Sequence, residues 1–192
     1  MINTKYETIS STKNQWIHLV KELLAKKTKR DEYQQFVVEG VRISEEVFKA
    51  QFTPEIVFFS ENLSPRGYEL VEKANDAGAR VFYVSSSLLN TLSETETSQG
   101  ILMVVRKKTV ELPQNLNFVV VIDQLRDPGN LGTILRTSLA AGVNAVFITP
   151  GSVDPYSPKV LRSGMGAHFR LPVINISWEE IKKVSVLNNP PL

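Results

Sequence analysis

A strand, turn and helix pattern over residues 118–151 constrains the fold of this 192-residue chain most strongly. Phe118 to Ile122 is an apolar run rich in β-branched residues, which is typical of a strand buried on both faces. The next apolar residues recur at spacings of three and four, which predicts one buried helix face from Leu131 to Leu139. A second apolar run, Ala145 to Thr149, completes a strand-helix-strand unit whose crossover should be right-handed.

The turn between this strand and helix has two interpretations. Residues 127–130 read Asp-Pro-Gly-Asn, which makes a good helix start with Pro128 in the first turn and Asn130 as the cap. Ligands of strand-helix-strand units also bind at this helix start, beside its free N–H groups. Asn130 and Gly132 lie at this helix start. Arg136 lies outside the apolar face of the helix, and its side chain is predicted to reach the same ligand position. The residues alone leave both interpretations open.

Several classes of site are disfavoured by what the sequence does not contain. It has neither a Gly-x-Gly-x-x-Gly turn nor a phosphate-binding Gly-x-x-x-x-Gly-Lys-Ser/Thr loop, which argues against a plain nucleotide-binding domain of the Rossmann kind. It has no cysteine, which excludes thiolate catalysis and cysteine-held metals and fits a reducing compartment. We therefore expect a cytosolic, cytoplasmic protein without a bound metal.

Positive charge is concentrated at the start of the chain. Residues 1–30 hold seven basic side chains and two acidic ones, a local charge of +5 within a net charge of +2. A basic segment of this kind favours contact with phosphates, and a solvated helix face is the alternative. We predict an amphipathic helix from Ile9 to Lys27, and the candidate phosphate contacts are Lys26, Lys27, Lys29 and Arg30.

Strand and helix patterns alternate along the rest of the chain, which predicts α/β architecture. Between residues 36 and 105 we predict strands at 36–39, 55–59, 80–84 and 100–105, and helices at 41–50, 67–77 and 86–92. Residues 107–117 have charge, a proline and no clear period, so we place a linker there between domains of residues 1–106 and 118–192. After residue 151 we predict a helix over 159–164, a strand over 169–173 and a helix over 178–184.

The central stretch resembles a known family. Asp-Pro-Gly-Asn-Leu-Gly-Thr-Ile-Leu-Arg at 127–136, Ala-Ala-Gly at 140–142 and the tract at 149–162 resemble the first motif region of the TrmH (SpoU) family. These are S-adenosylmethionine-dependent RNA ribose 2′-O-methyltransferases of the SPOUT superfamily. The tract at 36–42 is similar to the family's substrate-binding signature, as is the one that ends in Gln99-Gly100. The resemblance thus implies a small α/β sandwich, like ribosomal and kink-turn RNA-binding proteins, followed by a SPOUT (α/β knot) parallel-sheet domain.

The resemblance also implies roles for particular residues. The residue matching Arg136 stabilises the attacking ribose oxygen, and Asn130 would orient Arg136 or the ribose. The cofactor would be S-adenosyl-L-methionine, the substrate a structured RNA (ribosomal rather than transfer RNA), and the assembly a homodimer. The candidate RNA-binding residues are thus Glu39, Gly40 and Arg42 in the tract similar to the signature, together with two groups chosen on other grounds. These are the basic residues Lys26, Lys27, Lys29 and Arg30, and Lys159, Arg162 and Ser163, which we expect to face the strand ends.

The sequence departs from the family's pattern after residue 164. Family members continue with a Gly-x-Glu-x-x-Gly loop and a helix that contains Ser-x-Asn, which form most of the methyl donor's pocket, and neither occurs here. We therefore expect an incomplete SPOUT domain in a truncated chain, assign no donor-binding residues, and expect doubtful activity from these residues alone. A catalytically inactive RNA-binding protein is the alternative.

Overall fold

The computed structural model describes residues 5–93, 98–114 and 116–188, with side chains up to residue 183. The chain divides into two compact units at Lys108 and Thr109, inside the linker predicted from composition. Residues 94–97, in the tract that precedes Gln99, lie outside the described part. No helix in the described part of the chain is both long and apolar enough to cross a membrane.

Unit 1 is a five-stranded mixed sheet with helices packed against it. The strand order is β1-β4-β3-β5-β2, in which β1, β4 and β3 are parallel and β5 runs antiparallel to β3 and β2. The strands are β1 Glu7–Ile9, β2 Gln35–Glu39, β3 Pro54–Phe59, β4 Arg80–Val84 and β5 Ile101–Arg106, and the helices are α1 Gln15–Ala25, α2 Lys27–Tyr33, α3 Val41–Lys49, α4 Pro65–Asp76 and α5 Ser86–Asn90.

The helix predicted from Ile9 to Lys27 is wrong at both ends. Ile9 lies in β1, opposite Val84, and is buried in the core of unit 1. The helix starts only at Gln15, after Asn14, whose side chain accepts a hydrogen bond from the Trp16 amide. Lys26 has extended backbone angles and separates α1 from α2. Helical spacing of apolar residues did not reveal β1, because a three-residue strand has too few side chains to set a period.

Unit 2 is a parallel three-stranded sheet in the order β6-β7-β8. The sheet carries α6 and α7, which pack on each other, and α8 follows β8. The core lies between the sheet and α6, where Leu131 and Leu135 are fully buried, as their spacing predicts. The elements are β6 Val119–Ile122, α6 Pro128–Ala140, β7 Ala145–Ile148, α7 Pro158–Gly164, β8 Val173–Asn175 and α8 Trp178–Asn188, with a 3₁₀ turn at Ala167–Phe169.

Two sequence predictions about unit 2 are wrong. The strand β6 is not buried on both faces, since Val121 is 36% exposed. Among the described strands it lies at the edge of the sheet, beside β7. Residues 169–172, which were predicted to be part of a strand over 169–173, are not in a strand. Gly166 takes a left-handed conformation and opens the 3₁₀ turn, and the strand begins only at Val173, after Pro172. The mixed α/β folds of the two units nevertheless agree with the predicted class, including a parallel sheet in the second.

Candidate functional site

The turn after β6 is built as a capped helix start. Asp127, and not Asn130, is the cap of α6, since its carboxylate accepts a hydrogen bond of 2.7 Å from the Asn130 amide. Pro128 occupies the first helical position, where its missing N–H costs no intrahelical bond. The Asn130 side chain is exposed and has no hydrogen bond with any residue that the structure describes. The side-chain amide of Asn130, which the sequence suggested as the helix cap, is therefore open to a ligand.

Gly132 serves packing between helices. A Cβ built on Gly132 would lie 1.9 Å from Ser163 Oγ, 2.6 Å from the Val160 carbonyl oxygen and 2.7 Å from the Gly164 amide nitrogen. The two helices approach so closely here that only glycine fits. The Ser163 hydroxyl is half-buried in the same contact and donates to backbone oxygens of its own helix, among them that of Lys159 at 2.9 Å. The Ser163 hydroxyl already donates within the chain, and its predicted contact with RNA stays a prediction.

Arg136 lies on the exposed side of α6. It has no ion pair or hydrogen bond within the described ranges, so its charge is available to a bound anion. The helix geometry separates it from Asn130 by about 9 Å along the axis and about 120° around it, and from Pro128 by about 12 Å. The two residues therefore start from different faces of α6, and the prediction that Arg136 reaches the helix start beside Asn130 stays a prediction. Its catalytic role stays a prediction.

A second cluster in unit 1 joins residues that are distant in the sequence. At the end of β2, the Glu39 carboxylate accepts a hydrogen bond from the Ser93 hydroxyl. Gly40 follows with a φ of 103°, and the side chain of Gln99 accepts a 2.8 Å bond from the Val41 amide. The two tracts that resemble the family's substrate-binding signature thus meet at the start of α3. Arg42, in the first turn of that helix, is exposed and has no ion pair in the part of the chain that the structure describes.

The basic residues near the N-terminus divide into two groups. Arg30 is only 4% exposed and donates to the carbonyl oxygens of Leu23 and Leu24, so it closes the end of α1. The RNA contact predicted for Arg30 is therefore wrong, because its guanidinium is consumed inside the fold. The lysines remain at the surface in ion pairs with acidic residues of the same helices: Lys26 with Glu22, Lys27 with Asp31 and Lys29 with Glu32.

Exposed ion pairs of this kind contribute little to folding, so a phosphate competes with them readily. The RNA contacts predicted for the three lysines therefore stay predictions. In unit 2, Lys159 is exposed, whereas Arg162 is half-buried.

His168 is buried in unit 2, with 1% of its surface exposed. Burial lowers its pKa to about 4, although the Pro155 carbonyl and the Asp154 carboxylate favour the charged form. Its ring lies 5.8 Å from the ring of Tyr156, and burial raises the pKa of that phenol to about 12. Both groups are therefore neutral at pH 7.

We expect His168 to make the stability of unit 2 fall in mild acid. Its pKa in the folded protein lies below the ordinary histidine pKa of 6.5, so the fold favours the neutral ring. The contribution is complete above pH 6.5 and is lost as the pH falls towards 4, by an amount of about 3 kcal/mol. Urea unfolding followed by Trp178 fluorescence in a Trp16→Phe chain measures it. A His168→Gln variant should lose most of the slope between these pH values, and an unchanged slope would contradict the assignment.

Both units match described protein families. Residues 14–103 match the MRM3-like substrate binding domain, and residues 117–187 match the SpoU rRNA Methylase family. A solved structure titled RNA 2′-O ribose methyltransferase is 31% identical, with a TM-score of 0.76 over 96% of this chain and 71% of that one.

The chain belongs to the SpoU family of RNA methylases. Among curated relatives, rRNA methyltransferase 3, mitochondrial, of Homo sapiens is 37% identical over 161 residues, which are 79% of this chain and 38% of the relative. The 23S rRNA (guanosine(2553)-2′-O)-methyltransferase RlmP of Bacillus subtilis is 35% identical over 86% of this chain and 64% of its own length. The chain thus spans between about two fifths and two thirds of these two SpoU relatives.

The same SPOUT architecture appears in a structure of AdoMet-bound rRNA methyltransferase from Sinorhizobium meliloti. That protein has a TM-score of 0.84 at 24% identity, over 96% of this chain and 70% of its own. The fold class predicted from the sequence is confirmed by this likeness and by the family match.

Sequence reasoning missed three residues at the ends of the strands of unit 2, namely Asp123, Thr149 and Trp178. Only Asp123 carried a signal, as the first polar residue after an apolar strand.

Proposed function

We propose that this chain belongs to an enzyme that transfers a methyl group from S-adenosyl-L-methionine to a ribose 2′-hydroxyl of ribosomal RNA. The observation that carries the proposal is the match of both units, in order, to a substrate-binding domain and a SpoU methylase domain. The names of the relatives from Homo sapiens and Bacillus subtilis support ribosomal RNA over transfer RNA as the substrate.

The reaction needs a stabilised oxygen more than it needs a strong base. The 2′-oxygen attacks the methyl carbon of a sulfonium, a C–O bond forms, the C–S bond breaks, and the hydroxyl proton leaves to solvent or a nearby acceptor. A fixed guanidinium stabilises the charge that develops on the oxygen. Arginine keeps its own proton at working pH, so Arg136 would lower the pKa of the hydroxyl or hold the neighbouring phosphate. The open amide of Asn130 offers a further group to orient the ribose.

The donor supplies the electrophilic methyl group. The chain's own groups at the strand ends of unit 2, an acceptor carboxylate and an exposed indole, fit the nucleoside half of such a donor. Among the described residues these groups would hold only part of the donor. The part of the reaction that this chain carries is the recruitment of RNA and the stabilisation of the ribose oxygen.

The proposed recruiting surface is the start of α3 in unit 1. We expect Arg42→Gln to weaken RNA binding and to reduce the slope of log K against log salt by about one, because one phosphate contact is lost. Filter binding of an rRNA fragment at several salt concentrations measures this slope. Point substitution is required, since deletion of residues 1–30 would remove β1 and α1 from the core.

The matched control for Arg42 is Arg106. It is exposed but paired with Glu55, and it lies at the opposite end of the β2–β5 pair, beside Gln35. Arg106→Gln should leave the salt slope unchanged. Equal effects of the two substitutions would show that general charge, and not the start of α3, binds the RNA.

Two further features belong to the same proposal. The protein would act as a homodimer, as the family resemblance implies, and in the cytoplasm, as the lack of cysteine in the sequence suggests. Light scattering would give its mass in solution. Incubation of the complete protein with rRNA and methyl-labelled donor tests the activity itself, since a 2′-O-methyl group makes the following phosphodiester resistant to alkali. Salt-dependent RNA binding without any transfer would favour the alternative, an RNA-binding protein without catalysis.

A further inference from the structure

Three residues meet at the carboxyl ends of the strands of unit 2. Asp123 follows β6, Thr149 follows β7, and Trp178 begins α8 after β8. Asp123 Oδ1 accepts a 2.5 Å hydrogen bond from the Thr149 hydroxyl and a 3.2 Å hydrogen bond from the Trp178 indole Nε1. The carboxylate therefore joins all three strand ends and fixes the indole above the edge of the sheet.

The position of the indole is also fixed from its own helix. Ser177 precedes α8, and its amide and hydroxyl both donate to Glu180 Oε2 at 2.9 Å. The Glu180 amide donates back to the Ser177 hydroxyl, which makes a reciprocal cap at the helix start. Trp178 follows directly, so both its backbone and its ring nitrogen are held in place.

Two groups in this cluster remain open to a ligand. Trp178 is 44% exposed although its ring nitrogen is hydrogen-bonded, so part of the indole faces away from the protein. Asp123 Oδ2 has no hydrogen-bond partner in the described part of the chain, and the residue is exposed. An aromatic face next to a carboxylate oxygen matches the two parts of a nucleoside: the base stacks on the ring, and a ribose hydroxyl donates to the carboxylate.

Charges of both signs surround this cluster, and Glu179 and Glu180 lie in the first turn of α8. Arg126, in the turn that follows Asp123, is exposed and has no ion pair within the described ranges. Lys182 lies one turn after Trp178 on the same side of α8. Aromatic groups next to cations are typical of surfaces that bind single-stranded nucleic acid or nucleotides.

We propose that Trp178 and Asp123 form a nucleoside subsite, in which the base stacks on the indole and a ribose hydroxyl is bound by Asp123. The inference rests on the proposed function and adds a binding site to it. The nucleoside is either part of the RNA strand or the adenosine of the methyl donor, and the two sources share this chemistry.

The test uses the fluorescence of Trp178 in the 192-residue chain with Trp16→Phe. Trp16 packs against Phe82 and Arg80 in unit 1, so its conservative replacement removes the second emitter. Adenosine, S-adenosylhomocysteine and a short oligoribonucleotide are titrated separately, and each is compared with its analogue that lacks the ribose hydroxyls. We expect saturable quenching by at least one ligand, with affinity about tenfold lower for its deoxy analogue because a hydrogen bond to a charged group is lost.

The separate titrations identify the source. Quenching by adenosine and S-adenosylhomocysteine alone assigns the subsite to the donor, and quenching by the oligonucleotide alone assigns it to RNA. Asp123→Asn should abolish the preference for the ribose form while the quenching persists. The inference is overturned if no ligand gives saturable quenching in a chain with unchanged circular dichroism, or if the deoxy analogues bind equally well. Because salt-dependent RNA binding is measured on the same chain, its persistence in that case would leave the proposed function standing.

Discussion

Replacement of Arg136 by alanine in the complete enzyme is expected to reduce methyl transfer by about a hundredfold, with RNA binding nearly unchanged. The size follows from the loss of one preorganised group that stabilises charge in the transition state, which typically costs a factor of about 100 to 1,000. The side chain is exposed and unpaired within the described part of the chain, so its removal should not disturb the fold. Single-turnover measurement with saturating RNA separates the rate of transfer from binding.

The best control for Arg136 is a lysine at the same position. Arg136→Lys keeps the positive charge and removes the planar fork, so it should leave RNA affinity unchanged and recover the transfer rate only in part. Thr137→Ala, on the next exposed position of the helix, should have little effect on either. A transfer rate for Arg136→Ala equal to that of the unmodified enzyme would remove Arg136 from the mechanism.

Replacement of Gly132 by alanine is expected to destabilise unit 2 by about 2 kcal/mol or more. Alanine favours a helix over glycine by about 1 kcal/mol, so propensity alone predicts the opposite sign. The new methyl group would, however, lie within 2.7 Å of backbone atoms of α7, at the Val160 oxygen and the Gly164 nitrogen. Backbone cannot move aside as a side chain can, and overpacking of this kind outweighs the gain in propensity.

A second glycine in the same helix provides the control. A Cβ on Gly129 would meet only the Asp127 carboxylate oxygen, at 3.2 Å, so Gly129→Ala should leave stability unchanged or raise it slightly. Chemical unfolding of the two variants, followed by Trp178 fluorescence, gives the comparison. Adding Ser163→Gly to Gly132→Ala should rescue little, because the backbone contacts persist. Full rescue would mean that the Ser163 hydroxyl alone excludes the methyl group.

The sequence was most informative where a signal is local. The apolar periodicity of α6 gave its buried face correctly, and the run at Ala145 gave β7, because both patterns reflect contacts of one face with the core. The ordered motif around Asp127 to Arg136 led to the correct family, since it is long and specific. The boundary between the two units lies within residues 107–117, where the apolar residues show no helix or strand periodicity.

The tertiary structure decided what distant residues do to one another. The sequence presents Arg30 as one more cation in a basic run, and only the packing of α1 against α2 shows that its guanidinium is buried on backbone carbonyls. It presents Gly132 as a possible ligand contact, and only the approach of α7 gives it a packing role. Asp123 and Trp178 are 55 residues apart, and only the parallel sheet brings them together.

The difference between what the sequence predicted and what only the fold decided has a physical cause. The order of helices and strands follows from side-chain periodicity along a short stretch, which the chain contains by itself. The partner of a polar group depends on which strand ends and helix faces come together, and that is settled by the packing of the whole unit. For this protein the sequence alone determined the family, the alternation of elements and the candidate cations, whereas the fold decided which of those cations and glycines remain open to RNA.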